Sequence, residues 1–299
     1  MLLHPTLNTT DIPVTNNRHS DGNPSQCVAY KRLTTLHRGC MTHLNRLRDV
    51  WDGLAEQDAL HAILTDPTKK QGKWGIANFM ATGVAEVSIV MNHLAQIGHY
   101  PQTESTALDF GCGVGRLTQA LAQRFSSCVG IDVSQHMIQE ANALNRYENC
   151  RYITSSSPVL PFDDASFTFI YSNIVLQHMP QRLSVGYLKE FVRVLAPGGI
   201  LVFGVQDSFP IRDIPSLITW LRQTVRLRTR IKEALGGPGE MQMHCLSESA
   251  IRRALGRAKI VDIQFVNTAA KDFNGNLSYL PQAPTSGYVS KQYCAVKQS

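Results

Sequence analysis

The stretch Ala107-Leu108-Asp109-Phe110-Gly111-Cys112-Gly113-Val114-Gly115-Arg116-Leu117 decides the reading of the chain. A short apolar run enters a turn with glycine at every second position and leaves it as the start of a helix. Glycine lets a backbone adopt positive φ and approach a ligand closely, and the first turn of a helix carries N–H groups without intrahelical partners. A polar ligand is therefore expected over this turn. By itself the pattern is a weak signal, because dinucleotide-binding enzymes use a related G-x-G-x-x-G and some glycine turns merely pack a helix on a strand. Here the third glycine, Gly115, comes one residue too early for that fingerprint.

Downstream, Val129-Gly130-Ile131-Asp132-Val133-Ser134 ends a second apolar run in a carboxylate. Ligands of open parallel sheets sit at the C-terminal ends of the strands, where an acid can accept both hydroxyls of a ribose, so Asp132 is the expected ribose ligand. The competing role is structural, since Ser134 next to it has the type and place of a helix N-cap. Strands are expected over 107–110, 128–132, 150–154, 167–172 and 200–205, with helices over 116–125, 135–144 and 182–195 between them. That alternation is the mark of a parallel sheet covered on both faces. Ala196-Pro197-Gly198-Gly199 stops the last of these helices.

Upstream, residues 1–26 are polar without an apolar period and read as a flexible tail. Residues 27–100 read as a helical N-terminal cap. Helical spacing runs over 28–47, through Leu33, Leu36, Leu44 and Leu47, and over 51–64, which ends at Asp66-Pro67. It returns over 76–97 with Ile76, Phe79, Met80, Val84, Val87, Met91 and Leu94. After the fifth strand an insertion of about 208–247 interrupts the rhythm. Its helix over 214–235 carries Arg222, Arg226, Arg228, Arg230 and Lys232 and is expected to lie over the sheet as a lid. A helix over 249–258 and strands over 260–266 and 287–296 complete the domain 101–299.

The 299 residues are 43% hydrophobic and 17% charged, the composition of a globular protein. No apolar run is long enough to span a bilayer, and the N-terminus lacks the basic-then-apolar order of a signal peptide, so a cytoplasmic protein is expected without a membrane partner. Seven cysteines without a C-x-x-C pair suggest neither a disulfide framework nor a zinc site. The net charge of +6 suits an anionic partner but is not gathered into a nucleic-acid-binding patch.

On these motifs residues 104 to about 205 resemble the class I S-adenosylmethionine-dependent methyltransferases. Asp109 to Gly115 looks like the family's first motif, Asp132 like its ribose-binding acid, and Leu160-Pro161-Phe162-Asp163-Asp164 with Ser166-Phe167 like the approach to its fourth strand. Ser172-Asn173-Ile174-Val175-Leu176-Gln177-His178 and Arg193-Val194-Leu195-Ala196-Pro197-Gly198-Gly199 are similar to its fourth and fifth motifs. The resemblance implies an α/β, Rossmann-like, seven-stranded sheet with an antiparallel final strand, and S-adenosyl-L-methionine as cofactor. It implies that Gly111, Gly113 and Gly115 flank the methionine part, that Asp109 lies near its amino group, that Ser172 or Asn173 closes the other side, and that Met137 touches the adenine. Two positions depart from the family. Ser155-Ser156-Ser157 stands where an acid often meets the adenine amino group, leaving a hydroxyl such as that of Ser156 or a backbone group to substitute, and Thr168 replaces the usual aspartate of the fourth strand.

Methyl transfer from a sulfonium is an in-line displacement in which alignment in a dry pocket matters most. His178 follows the fourth strand and is a candidate general base or a pocket wall. His244, in Met241-Gln242-Met243-His244-Cys245, either faces the same pocket or is a loop histidine. Trp51 and Trp74 could line a sulfonium site or pack in the core. The expected acceptor is a small molecule methylated on O, N or S, with no metal required. RNA or protein methylation and non-catalytic cofactor binding by a partner protein are the alternatives. Nucleic acid is disfavoured because the fourth motif lacks an Asn/Asp-Pro-Pro-aromatic sequence, and Arg222, Arg226 and Arg230 at intervals of four suit a solvated helix face. No residue pattern sets an oligomeric state.

Overall fold

The computed structural model describes residues 24–208, 242–270, 272–285 and 287–299. Most of the expected tail and the arginine-bearing insertion lie outside the described residues. Residues 40–299 form one compact unit, and of residues 1–39 the backbone of 24–39 is helical.

Helix α1, Pro24–Ile63, runs through Arg48-Asp49-Val50, where the sequence suggested a break, and kinks instead at Asp58, whose φ of −168° and ψ of 87° are not helical. The reason is local: no breaker stands between Leu47 and Trp51, whereas Asp58 acts as an N-cap for the segment that follows. Its carboxylate accepts from the His61 amide at 3.1 Å and from the Gly72 amide at 2.8 Å. Helix α2, Ile76–Gln96, buries Phe79, Thr82, Gly83, Glu86, Val87, Val90, Met91 and Leu94 at intervals of three and four. Ile76 and Val84, counted above with that stripe, are exposed.

Strands β1 (Thr106–Phe110), β2 (Ser127–Asp132), β3 (Cys150–Thr154), β4 (Phe167–Ser172) and β5 (Leu195–Ser208) are mutually parallel, with helices α3 (Arg116–Ala122), α4 (Gln135–Leu144) and α5 (Gln181–Val194) between them. Helix α6 (Glu248–Leu255), β6 (Ala258–Val266), β7 (Tyr279–Leu280) and β8 (Val289–Lys297) follow. The order is β3-β2-β1-β4-β5-β8-β6-β7, and β8 runs antiparallel to both β5 and β6. The sheet therefore has eight strands, not seven. The addition is β7, two residues that pair Phe265 with Leu280 and Val266 with Tyr279 on the edge, too short to leave a period in the sequence. Strand β5 also starts five residues earlier than expected. Phe167 pairs with Leu195 and Phe169 with Ile200, so Ala196 to Gly199 bulge out of the ladder.

Period-two alternation sends neighbouring residues to opposite layers. Leu108 and Phe110 of β1 join Val129, Ile131, Phe203 and the apolar faces of α5 and α6, while Ala107 joins Cys128, Phe169, Val202 and the stripe of α2 with α3. A third cluster holds Val114 and Met137 against Ala55, Ala62, Leu64, Trp74 and Phe79. Each large side chain so buried stabilises the fold by about 1.5–3 kcal/mol. Close packing of α2 on α3 needs Gly83, where an added Cβ would lie 2.4 Å from the Arg116 carbonyl oxygen. No helix among the described residues is long and apolar enough to cross a membrane.

Candidate functional site

Parallel strands place their C-terminal ends at one edge, and there β1, β2 and β4 open onto a cavity of about 300 Å³. Gly111 (φ 76°), Gly113 (φ 50°) and Gly115 (φ 83°) all lie in the left-handed region. The amides of Gly111 and Cys112 donate to the Ile131 carbonyl at 2.8 and 3.1 Å, tying the turn to the end of β2. A Cβ at position 111 would come within 2.4 Å of the Val175 side chain, so glycine is needed for space as well as for φ. Gly111, Cys112 and Gly113 line the cavity; Gly115 lies behind it against the Tyr152 hydroxyl.

Asp132 lines the cavity and is held by two backbone donors, Gly113 N–H to Oδ2 and Ser134 N–H to Oδ1, each at 2.9 Å. Burial pushes its carboxyl above the ordinary carboxylate range, and these amides oppose that shift. The capping role belongs to Ser134, whose Oγ accepts from the Met137 amide at 3.1 Å and donates to Asp52 Oδ1 at 2.6 Å. Each Asp132 oxygen thus retains a lone pair that could accept from a hydroxyl. Met137 and Asn173 also line the cavity.

Asp109 stands beneath the turn, away from the lining. Its Oδ2 accepts from Thr118 Oγ1 at 2.7 Å, Oδ1 is buried with no hydrogen-bond partner among the described residues, and burial raises its pKa to about 7. Ser172 is fully buried and does not line the cavity. In the serine triplet, Ser155 and Ser157 reach the cavity and Ser156 does not. Thr168 hydrogen-bonds Ser105 at the start of β1, far from the strand ends. After Asn173 the chain turns through Ile174, whose φ of 59° is an unusual conformation for a β-branched residue at a cavity wall.

His178 ends a short 3-10 turn, Leu176–His178, and lines the cavity 5.5 Å from the Trp51 ring, edge to face. Its Nδ1 lies 3.1 Å from the Gln242 carbonyl oxygen, an acceptor only, which puts the proton on Nδ1 and leaves Nε2 with a lone pair. Burial lowers its pKa to about 4. The His244 amide donates to the Gln177 carbonyl at 2.7 Å, and Met243, not His244, reaches the cavity wall. Trp74 is a core residue, packed edge-on against Phe79 with its indole N–H donating to the Leu64 carbonyl at 3.2 Å.

Three side chains unnoticed in the sequence belong here. Arg116, a buried lining residue of the cavity, donates from Nη2 to Glu86 Oε2 at 2.8 Å. Glu86 Oε1 accepts from Asn173 Nδ2 at 2.8 Å and from the Tyr171 hydroxyl at 2.7 Å. Asp52 of α1 joins the cap of α4 by accepting from the Ser134 hydroxyl and the His136 amide. The one available signal was an acid in the apolar stripe of α2. Among the described residues no group of three or more His, Cys, Asp or Glu could hold a metal ion.

Residues 108–203 match a family described as Methyltransferase domain. Similar curated proteins include 2-methyl-6-phytyl-1,4-hydroquinone methyltransferase of Synechocystis, 31% identical over 41% of this chain and 38% of that one. Tocopherol O-methyltransferase of Arabidopsis thaliana is 26% identical over 60% of this chain and 53% of its own. Demethylmenaquinone methyltransferase of Staphylococcus epidermidis is 36% identical over 34% and 43%. The matches thus span about half or less of these relatives' lengths. Among solved structures, magnesium protoporphyrin IX methyltransferase of Synechocystis with bound S-adenosylmethionine superposes with a TM-score of 0.54 at 17% identity, over 86% of this chain and 97% of that one. A methyltransferase dependent on the same cofactor, from Anabaena variabilis, does so with a TM-score of 0.54 at 14% identity, over 84% and 95%. At such identities the likeness is one of fold.

A largely parallel sheet with two reversed strands, β7 and β8, a glycine turn and a strand-end acid make an α/β domain with a ligand site at the C-terminal strand ends. Residues 108–203 are thus similar to the methyltransferase domain family, and the fold is one that S-adenosylmethionine-dependent methyltransferases have.

Proposed function

We propose that the protein transfers the methyl group of S-adenosylmethionine to a small-molecule acceptor. The observation that carries this reading is one cavity lined by the glycine turn and Asp132 together with many apolar side chains, among them Leu44, Leu47, Trp51, Leu160 and Met179. The relatives support it, because the three named above are methyltransferases of small molecules by name.

In this reading the Gly111 to Gly115 turn brings backbone against the methionine part, with Asp109 beneath it; of Ser172 and Asn173, it is Asn173, which lines the cavity, that closes the other side. Asp132 accepts from the ribose hydroxyls, Met137 lies against the adenine, and the Ser155 to Ser157 segment borders it. The cofactor supplies an electrophilic methyl on a sulfonium. The chain's own residues align the acceptor with that methyl and exclude water. His178 and His244 are the candidate proton acceptors, and of the two only His178 lines the cavity. The helical segment 27–100 supplies part of the wall through Leu44, Leu47 and Trp51, and the insertion near 208–247 is the proposed lid.

Calorimetric titration of the whole protein with S-adenosylmethionine tests the reading, followed by a methyl-transfer screen against small metabolites and RNA. Binding with transfer to a metabolite is expected; failure to bind the cofactor, or transfer to RNA alone, overturns it.

A further inference from the structure

We propose that Glu86 of helix α2 is a positioning residue for the amino-acid end of the cofactor, acting by aiming Arg116 and Asn173. The inference rests on the methyltransferase reading and deepens it with a residue outside the segment 108–203.

Strand order gives the amino-acid end its place. Asp132 ends β2 and Asn173 follows β4, with β1 and its glycine turn between them. Neighbouring strands lie about 4.8 Å apart, so a ligand with its ribose at Asp132 that crosses the turn reaches Asn173 about 10 Å further on. In S-adenosylmethionine the groups at the far end from the ribose are the methionine carboxylate and ammonium. Arg116, the first residue after the turn, and Asn173 both line the cavity. Arg116 Nε is buried with no acceptor among the described residues, which leaves the guanidinium a donor for a carboxylate.

Glu86 sets the direction of both side chains. It is fully buried; Oε2 accepts from Arg116 Nη2 at 2.8 Å, and Oε1 accepts from Asn173 Nδ2 at 2.8 Å and from the Tyr171 hydroxyl at 2.7 Å. Thr82 Oγ1 takes Arg116 Nη1 at 3.3 Å, so both terminal nitrogens are held from α2. A carboxylate only accepts, so Asn173 must turn its NH2 to Glu86, and its amide oxygen lies against Gly204, where an added Cβ would come within 2.5 Å of it. In Glu86→Gln one oxygen becomes an NH2. Facing Arg116, that group sets donor against donor and releases the guanidinium; facing Asn173, it flips the amide. Either change alters the cavity wall while side-chain volume stays the same. A dry ion pair adds little net stability over apolar residues of similar size, so orientation is what separates Glu86 from a packing residue.

The test uses the whole protein and two probes that share adenosine and a thioether: S-adenosylhomocysteine, which carries the amino-acid end, and 5′-methylthioadenosine, which lacks it. Calorimetry should show the parent protein binding S-adenosylhomocysteine at least about tenfold more tightly. Glu86→Gln should weaken S-adenosylhomocysteine by about tenfold or more and 5′-methylthioadenosine by less than about twofold. The paired variant Glu86→Leu with Arg116→Met buries no charge, so it should unfold at higher urea than Glu86→Ala and still lack the preference for S-adenosylhomocysteine. A structural role alone would weaken both probes together, or would return the preference along with the stability of the paired variant. Either of those results, or a parent-like preference in Glu86→Gln, overturns the inference; if Glu86→Gln does not fold, the paired variant decides. A parent protein that binds both probes equally also overturns it, whereas one that binds neither overturns the methyltransferase reading itself.

Discussion

The Glu86 carboxylate and the Arg116 guanidinium meet at 2.8 Å with side chains 0% and 4% exposed, joining the middle of α2 to the first residue of α3. Two residues of the β4 end, Tyr171 and Asn173, share the same carboxylate. A buried pair of this kind costs desolvation that its own attraction and added hydrogen bonds offset, so removing one member leaves the other charge uncompensated. Glu86→Ala should destabilise the protein by about 3–5 kcal/mol in urea unfolding. Replacing both partners with apolar residues, as Glu86→Leu with Arg116→Met, should cost less than the single change. A loss below about 1 kcal/mol for Glu86→Ala would mean that the network contributes little.

Asp132 ties three things together, the Gly113 amide, the Ser134 amide and the proposed ribose contact. In Asp132→Asn one of the two amides meets an NH2 group, and a charged acceptor becomes a neutral one. Cofactor affinity measured by calorimetry should fall by about a hundredfold, equivalent to roughly 3 kcal/mol, with the far-ultraviolet circular dichroism retained. Unchanged affinity would place the ribose elsewhere.

Space at Gly111 is limited by Val175. Gly111→Ala puts a Cβ 2.4 Å from the Val175 methyl carbon at a φ of 76°. Its stability should fall by about 2 kcal/mol or more, from the sum of overpacking and left-handed strain. Val175→Ala removes the two methyl carbons at 2.4 and 2.5 Å and leaves Val175 Cβ at 3.0 Å, relieving most of the overpacking and none of the strain, so the double variant should recover part of the loss. The thermodynamic cycle fails to support this contact if the two changes are additive.

Asp109 makes the stability of the cofactor-free protein depend on pH. Its folded-state pKa, raised by burial to about 7, lies above its ordinary value of 3.8. Such a group favours the fold while protonated, so its contribution is complete below about pH 4 and is lost as pH rises to about 7. Asp109→Asn keeps an oxygen to accept from Thr118 and removes the titration. The stability of the variant relative to the parent should therefore rise between these two pH values and level off above them, as followed by thermal unfolding. A pH-independent difference would show that Asp109 does not titrate in this window.

Local patterns in the chain were sufficient for the parallel strands, the glycine turn and the strand-end acid. Each rests on neighbours in sequence: alternation within five or six residues, glycine spacing within one turn, a carboxylate at the end of an apolar run. Once β1 and β2 lie parallel in register, with Phe110 opposite Ile131, Gly113 and Asp132 must meet. The eighth strand escaped notice because two residues carry no period, and the kink in α1 because Asp58 has to find the Gly72 amide before its capping preference shows.

Tertiary structure alone decided the chemistry of the walls. In the sequence Glu86 is one acid on a helix; packing carries it to Arg116, Tyr171 and Asn173, residues 30, 85 and 87 positions away. Likewise, a histidine after the fourth strand could hold its proton on either nitrogen, and the Gln242 carbonyl, 64 residues further on, selects Nδ1. Spacing along the chain determines which backbone groups line up, because strands and turns have fixed periods. Which side chains share a buried charge or proton depends on distances across the fold, for which a single sequence carries no periodic signal.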